Sequence, residues 1–147
     1  MNVTNIQSFP LTPDIVLTAD DHGHLSRLAH AALDTAAPVA DALLYELGRA
    51  SVVAPEQLPP DVVRMGSTVR YRSGEGEQRE VTLVFPAEAD SESGLVSVMT
   101  PIGVALIGLR RGQSITWLAP DGRRQMLTAL RVMQPVDADD PLPPSAA

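Results

Sequence analysis

The apolar residues of this chain change their period once, across a proline-rich stretch. Ahead of it they recur every three or four residues, as Leu25, Leu28, Ala29, Ala32, Leu33 and Ala36 and then as Val39, Leu43, Leu47 and Ala50. That spacing lines one face of a helix. After Ala54-Pro55-Glu56-Gln57-Leu58-Pro59-Pro60-Asp61 the period drops to two, the repeat of a strand with one buried side. A chain patterned this way folds as α+β, helices first and an antiparallel sheet second.

The helical part has legible ends. Thr18 suits a helix N-cap, with Asp21 three residues on and Asp20 and Asp21 where the helix dipole favours negative charge. Pro38 interrupts the apolar stripe and suits the first turn of a new helix. Residues 18–50 therefore predict an antiparallel helical hairpin turning near Pro38, after a short extended segment at 14–17. Some seventeen residues in the first arm and a dozen in the second give lengths of roughly 25 Å and 18 Å. Four parts follow a leader at 1–13: the hairpin unit at 14–53, a stiff linker at 54–61, a sheet unit at 62–135, and an acidic, proline-containing tail at 136–147 with the composition of a disordered segment.

Within the sheet unit, strands are expected over Ser67–Tyr71, Glu80–Phe85, Leu95–Met99, Ile115–Leu118 and Gln125–Val132, with turns at Gly74-Glu75-Gly76 and Pro120-Asp121-Gly122. One helix interrupts them, Pro101–Leu109, with Thr100 as its cap and Pro101 in its first position. It is apolar on nearly every side. Such a helix is either sunk in the core or leaves an apolar face for a partner.

Composition narrows the chemistry. The 147 residues contain no Cys and no Lys, which removes disulfides, thiolate nucleophiles, Cys-held metals, Schiff bases and a phosphate-loop lysine. Aromatics are 3% of the chain, so Trp117, Phe85, Tyr71 and Tyr45 are its few large core candidates. Net charge is −7, unevenly spread: −5 over residues 1–60, +1 over 61–134 and −3 over 135–147. A protein that grips nucleic acid directly carries a basic patch instead, so a protein partner is the better expectation. The N-terminal residues show no charged and apolar signal pattern, and no apolar run approaches a membrane span, which predicts a cytoplasmic protein.

Several strings then carry a resemblance. Asp61-Val62-Val63-Arg64-Met65-Gly66-Ser67-Thr68-Val69, Val81-Thr82-Leu83-Val84-Phe85-Pro86, and Val96-Ser97-Val98-Met99-Thr100-Pro101-Ile102-Gly103 running on to Leu109, with Gly112-Gln113 and Trp117, resemble the C-terminal domain of the Gre-type transcript-cleavage factors. The stretch from about 14 to 135, including Ala40-Asp41-Ala42-Leu43 and Glu46-Leu47-Gly48-Arg49-Ala50, more closely resembles the family's branch of nucleoside diphosphate kinase regulators. The resemblance implies an FKBP-like sheet domain carrying a short coiled coil. It also implies a partner, RNA polymerase, gripped at the mouth of its secondary channel, and a role in transcriptional regulation. From it, Thr100, Pro101, Ile102 and Leu106 are the expected polymerase-binding residues; the competing reading places Ile102, Leu106 and Ile107 in the core.

The hairpin tip is the second candidate. Cleavage-stimulating Gre factors carry an adjacent acidic pair at the end of a long coiled coil, where carboxylates help hold a metal ion. Here the acids nearest the turn are Asp34 and Asp41, flanking Pro38 from opposite arms, and the arms are short. No stimulation of cleavage is expected. His22, His24 and His30 lack the i, i+4 spacing that grips zinc and are read as surface histidines. Arg110-Arg111 and Arg123-Arg124 are equally an ion-pair rim around the docking patch or scattered solvated charges. Peptidyl-prolyl isomerisation would need an aromatic-lined pocket, whereas core packing accounts for Tyr71, Phe85 and Trp117. With the resemblance, the expectation is a non-enzymatic regulator without metal or cofactor that binds RNA polymerase and competes with Gre-type factors without stimulating cleavage; the alternatives are a cleavage-stimulating elongation factor and a regulator acting directly on nucleoside diphosphate kinase.

Overall fold

The helical half begins where its cap pattern requires. In the computed structural model, which describes residues 13–74, 76–119 and 122–135, Thr18 Oγ1 accepts the Asp21 N–H at 3.2 Å and opens helix α1, Ala19–Ala31. The leader, the tail and the centres of both predicted turns lie outside the described residues, apart from Pro13. Helix α2 spans Ala37–Arg49 with Pro38 in its first turn. The first arm is shorter than its apolar stripe suggests, because residues 32–36 are consumed in turning the chain back. Both helices are 13 residues long, about 20 Å each.

Strand β1, Val16–Thr18, leads into α1, and β2, Ser51–Val53, leaves α2. They pair in parallel, Val16 opposite Ser51 and Thr18 opposite Val53, and so close the base of the hairpin. Only the first of these strands is visible in the apolar pattern; β2 takes its place through pairing rather than periodicity.

The sheet proper comprises β3 (Thr68–Ser73), β4 (Glu77–Val84), β5 (Leu95–Ser97), β6 (Ser114–Leu118) and β7 (Arg124–Met133), in the order β5-β4-β3-β7-β6. The expected wholly antiparallel sheet needs one correction, since β5 runs parallel to β4, with Thr82 opposite Leu95 and Val84 opposite Ser97. Residues 85–94, with two 3-10 turns, carry the chain back before β5 begins. Between Arg70 and Tyr71 the β3–β7 register slips, so that Arg70 faces Arg131 but Tyr71 faces Ala129.

Helix α3 is Pro101–Leu106, three residues shorter than expected. The chain leaves it because Val63 and residues 108–109 bond to each other, Val63 N–H to the Leu109 carbonyl at 2.8 Å and Gly108 N–H to the Val63 carbonyl at 2.9 Å. Gly103, Val104, Ala105 and Leu106 are buried, so this helix is sunk in the core. A Cβ on Gly103 would lie 2.7 Å from the Val98 Cα, which fixes glycine where helix meets strand.

One continuous core joins the two halves. Leu25, Ala29, Leu43 and Leu47 of the hairpin share it with Leu83, Leu106 and Leu127 of the sheet unit. The hairpin is therefore laid against the sheet unit. Polar contacts repeat the tie: Asp21 Oδ2 accepts the Met65 N–H at 3.3 Å, and Val16 N–H donates to the Gly108 carbonyl at 3.3 Å. Of the expected large core residues, Tyr71 is buried, Phe85 and Trp117 are partly buried, and Tyr45 is 63% exposed on α2. Tyr45 falls outside the apolar stripe of its helix, which its spacing from Leu43 and Leu47 already separates. Among the described residues no helix is long and apolar enough to cross a membrane.

Candidate functional site

The start of α3 borders a cleft of about 530 Å³ against the inner face of the sheet. Tyr71, Arg79 and Trp117 line the sheet side, and Thr100, Pro101 and Ile102 line the helix side. Hydrogen bonds hold the helix end rigid. Thr100 Oγ1 donates to the Ser97 carbonyl at 2.7 Å and accepts the Gly103 N–H at 3.1 Å, and Ser97 Oγ accepts the Met99 N–H at 2.9 Å. Pro101 has no N–H to satisfy in the first helical turn and stands exposed, with Ile102 half-buried beside it.

The sheet side is equally fixed. Trp117 Nε1 donates to Ser73 Oγ at 3.0 Å, and Ser73 Oγ donates to Gln125 Oε1 at 2.7 Å. Burial pushes the Tyr71 hydroxyl above its ordinary pKa, while Arg79 opposes and Glu77 adds to the rise. The phenol is therefore protonated near neutral pH and available as a donor. At the mouth, Arg79 and Glu77 pair at 3.4 Å in full view of solvent. An apolar floor on hydrogen-bonded supports and a charged rim suit recognition of a polypeptide surface.

A second, apolar groove of about 350 Å³ runs between α2 and the α3–β6 edge. Pro38, Val39 and Ala42 form one wall, and Val104, Trp117 and Leu118 the other, with Leu118 59% exposed. Pro101 and Trp117 line both depressions. The hairpin-tip residue Pro38 and Pro101, expected from the resemblance to dock, are thereby brought onto one surface. Asp34, in the connecting turn, and Asp41, on α2, are both exposed. Leu106 is different: it is 0% exposed. Its place in the docking set is corrected, because a side chain enclosed on all sides belongs to the core and offers a partner no surface.

The family description "Transcription elongation factor, GreA/GreB, C-term" matches residues 58–133, and "Rnk N-terminus" matches residues 13–53. The Regulator of nucleoside diphosphate kinase of Escherichia coli K12 is 41% identical over 130 residues, 87% of this chain and 96% of that protein. The chain belongs to the GreA/GreB family, in its Rnk branch. The transcription elongation factor GreA of Nitratiruptor is 39% identical over 120 residues, 77% of this chain and 73% of that factor. The solved GreA/GreB elongation factor of Nitrosomonas europaea is 37% identical, superposes with a TM-score of 0.67, and is matched over 82% of this chain and 99% of that one. These relatives carry the names of regulators and elongation factors.

Within this Rnk-branch chain, two sequence readings change. His22 is more than a surface residue, since its Nε2 donates to the Leu47 carbonyl at 2.9 Å and ties α1 to the end of α2; His24 meets Phe85 edge to face, with ring centres 6.2 Å apart. Arg110 pairs with Asp61 at 3.4 Å and Arg111 lies in the same depression as Asp61, away from the cleft. Neither arginine belongs to its rim. The role of Trp117 was hidden by a local ambiguity: in an alternating strand it counts as core, and only the edge position of β6 opens it to a groove. Leu118, next to it and out of phase with Ile115, was the available signal.

Proposed function

We propose that this chain regulates transcription by binding RNA polymerase at the secondary-channel entrance, where it competes with longer Gre-type factors without stimulating transcript cleavage. The observation that carries this reading is the joined apolar surface of Pro38, Pro101, Ile102, Trp117 and Leu118, held rigid by the Thr100 cap and the Trp117–Ser73 bond. The names and sequences of its relatives support the partner. The hairpin supports the inhibitory sense: its arms are about 20 Å long, they share a core with the sheet unit, and Asp34 and Asp41 sit on separate elements. In this reading residues 62–135 are the gripping unit, 14–53 the plug and 54–61 the joint.

The test is a pull-down with purified polymerase in competition with a cleavage factor, paired with a cleavage assay on backtracked complexes. Binding that Ile102→Asp abolishes, displacement by the competitor, and no added cleavage are expected. Cleavage above background overturns the inhibitory reading. Failure to bind polymerase, with binding to purified nucleoside diphosphate kinase in the same format, would transfer the role to the kinase named by the relatives.

A further inference from the structure

We propose that the outer face of the five-stranded sheet is a separate docking surface for an acidic protein partner. Alternation places Val69, Tyr71, Leu127 and Ala129 on the inner, buried side, and so places Arg70, Arg72 and Arg124 on the outer one; the register slip beside Arg70 inserts one residue into β7 and brings Arg131 to that outer side as well. Arg70 stands directly opposite Arg131 across β3 and β7, and Arg72 is the next outward residue along β3. Glu80, opposite Arg70 on β4, is the carboxylate of this face, and it pairs with Arg70 at 3.2 Å. Arg72, Arg124 and Arg131 make no ion pair with any described residue. Among the described residues this face carries four guanidinium groups and Glu80, with Asp61, paired to Arg110, at its edge beside Arg131 and Met133, and it stands out on a chain of net charge −7.

Folding does not explain the arrangement. Like charges directly opposite in a ladder are unfavourable, and the single Arg70–Glu80 pair is exposed, where ion pairs contribute little. No described residue supplies the gain, and charge complementarity specifies an acidic partner. Two further residues specify a protein. Met126 and Met133 project from the same face of β7 at 50% and 36% exposure. Methionine and arginine are the residues enriched where proteins meet, and lysine, absent here, is depleted there. Nucleic acid is the poorer fit, because the sheet's stacking aromatics, Tyr71 and Trp117, belong to the opposite face.

The methionines also supply the readout. The full chain, with carbon-13 methionine methyls, is titrated with an amphipathic helical peptide of Glu and Leu about twenty residues long, and separately with single-stranded DNA of equal charge. The peptide is expected to move the Met126 and Met133 methyl signals, leave Met65 and Met99 in place, and bind less tightly as salt rises. Combining Arg70→Gln, Arg72→Gln and Arg131→Gln is expected to weaken binding about tenfold or more with unchanged thermal unfolding, whereas Ile102→Asp leaves it intact. Silent outer methyls overturn the proposal. So does movement confined to Met99, which lies beside the cleft, or tighter binding of the DNA at the same methyls. Because Ile102→Asp is the variant that tests polymerase docking, the two readings fail separately.

Discussion

The two faces of the five-stranded sheet solve opposite problems. The inner face is covered by α3 and the hairpin, and its exposed remainder is a cleft whose every wall is fixed by hydrogen bonds or packing. No described element covers the outer face, and its one ion pair, Arg70–Glu80, is exposed, where such pairs contribute little to stability. The difference separates two kinds of residue that look alike in a sequence: those that build the surface and those that are the surface. Substitutions distinguish them, because the first kind changes binding only by changing folding.

The largest effect is expected at Gly103, where α3 touches the β5 end. Gly103→Val forces a side chain against the Val98 backbone, 2.7 Å from the added Cβ to the Cα, and neither element can withdraw without opening the core. A loss of about 3 kcal/mol or more is expected in denaturant unfolding. A melting point within a degree or two of the parent would show that α3 floats on the sheet.

Next come Leu106 and Ile102, four residues apart on one helix. Leu106→Ala leaves a cavity in a filled core and should cost about 2–5 kcal/mol, with polymerase binding reduced only in step with the folded fraction. Ile102→Asp, at a half-buried position packed against the core, should cost less stability than Leu106→Ala while removing binding well beyond the loss of folded protein. Equal losses of stability in both would erase the distinction between support and surface. Thr100→Ala falls between them: losing the cap bond to Gly103 should cost about 1 kcal/mol and loosen Pro101, measurable as faster amide exchange at Gly103.

Much of this was legible in the residues. The cap at Thr18, the break at Pro38, five strands and the cap at Thr100 all rest on local rules, and local rules are what a sequence displays. What it did not display depends on contacts between distant segments. Strand β2 exists because β1 lies beside it, the parallel β4–β5 pair depends on where residues 85–94 lead, and α3 stops at Leu106 because residues 108–109 bond to Val63. The candidate site divides the same way. Pro101 and Ile102 were found by resemblance, whereas Trp117 and the meeting of Pro38 with Pro101 follow from the hairpin lying along the β6 edge. Leu106 came from the same resemblance, and an all-apolar helix has no periodicity to decide between that reading and a place in the core.

On the outer face, Arg131→Thr should change stability by no more than about 0.5 kcal/mol, and in the favourable direction. Thr has the higher strand propensity and removes the repulsion from Arg70 across the β3–β7 ladder. A clear destabilisation would mean that the arginine holds the fold, and would merge the two faces into one class.

The smallest effect at neutral pH belongs to Tyr71, and it appears only in alkali. Burial disfavours the phenolate in the folded chain, so the folded pKa lies above the ordinary 10.0 and the unfolded chain ionises first. The folded state then binds more protons than the unfolded one above pH 10, and stability must fall as pH rises through that range. Below pH 10 the contribution is fully present and flat. Tyr71→Phe removes the ionisation in both states, so the alkaline slope in unfolding free energy should shrink by the share due to this residue. An unaltered slope would place Tyr71 in water-like surroundings and would open the inner face at the one point where a buried phenol now closes it.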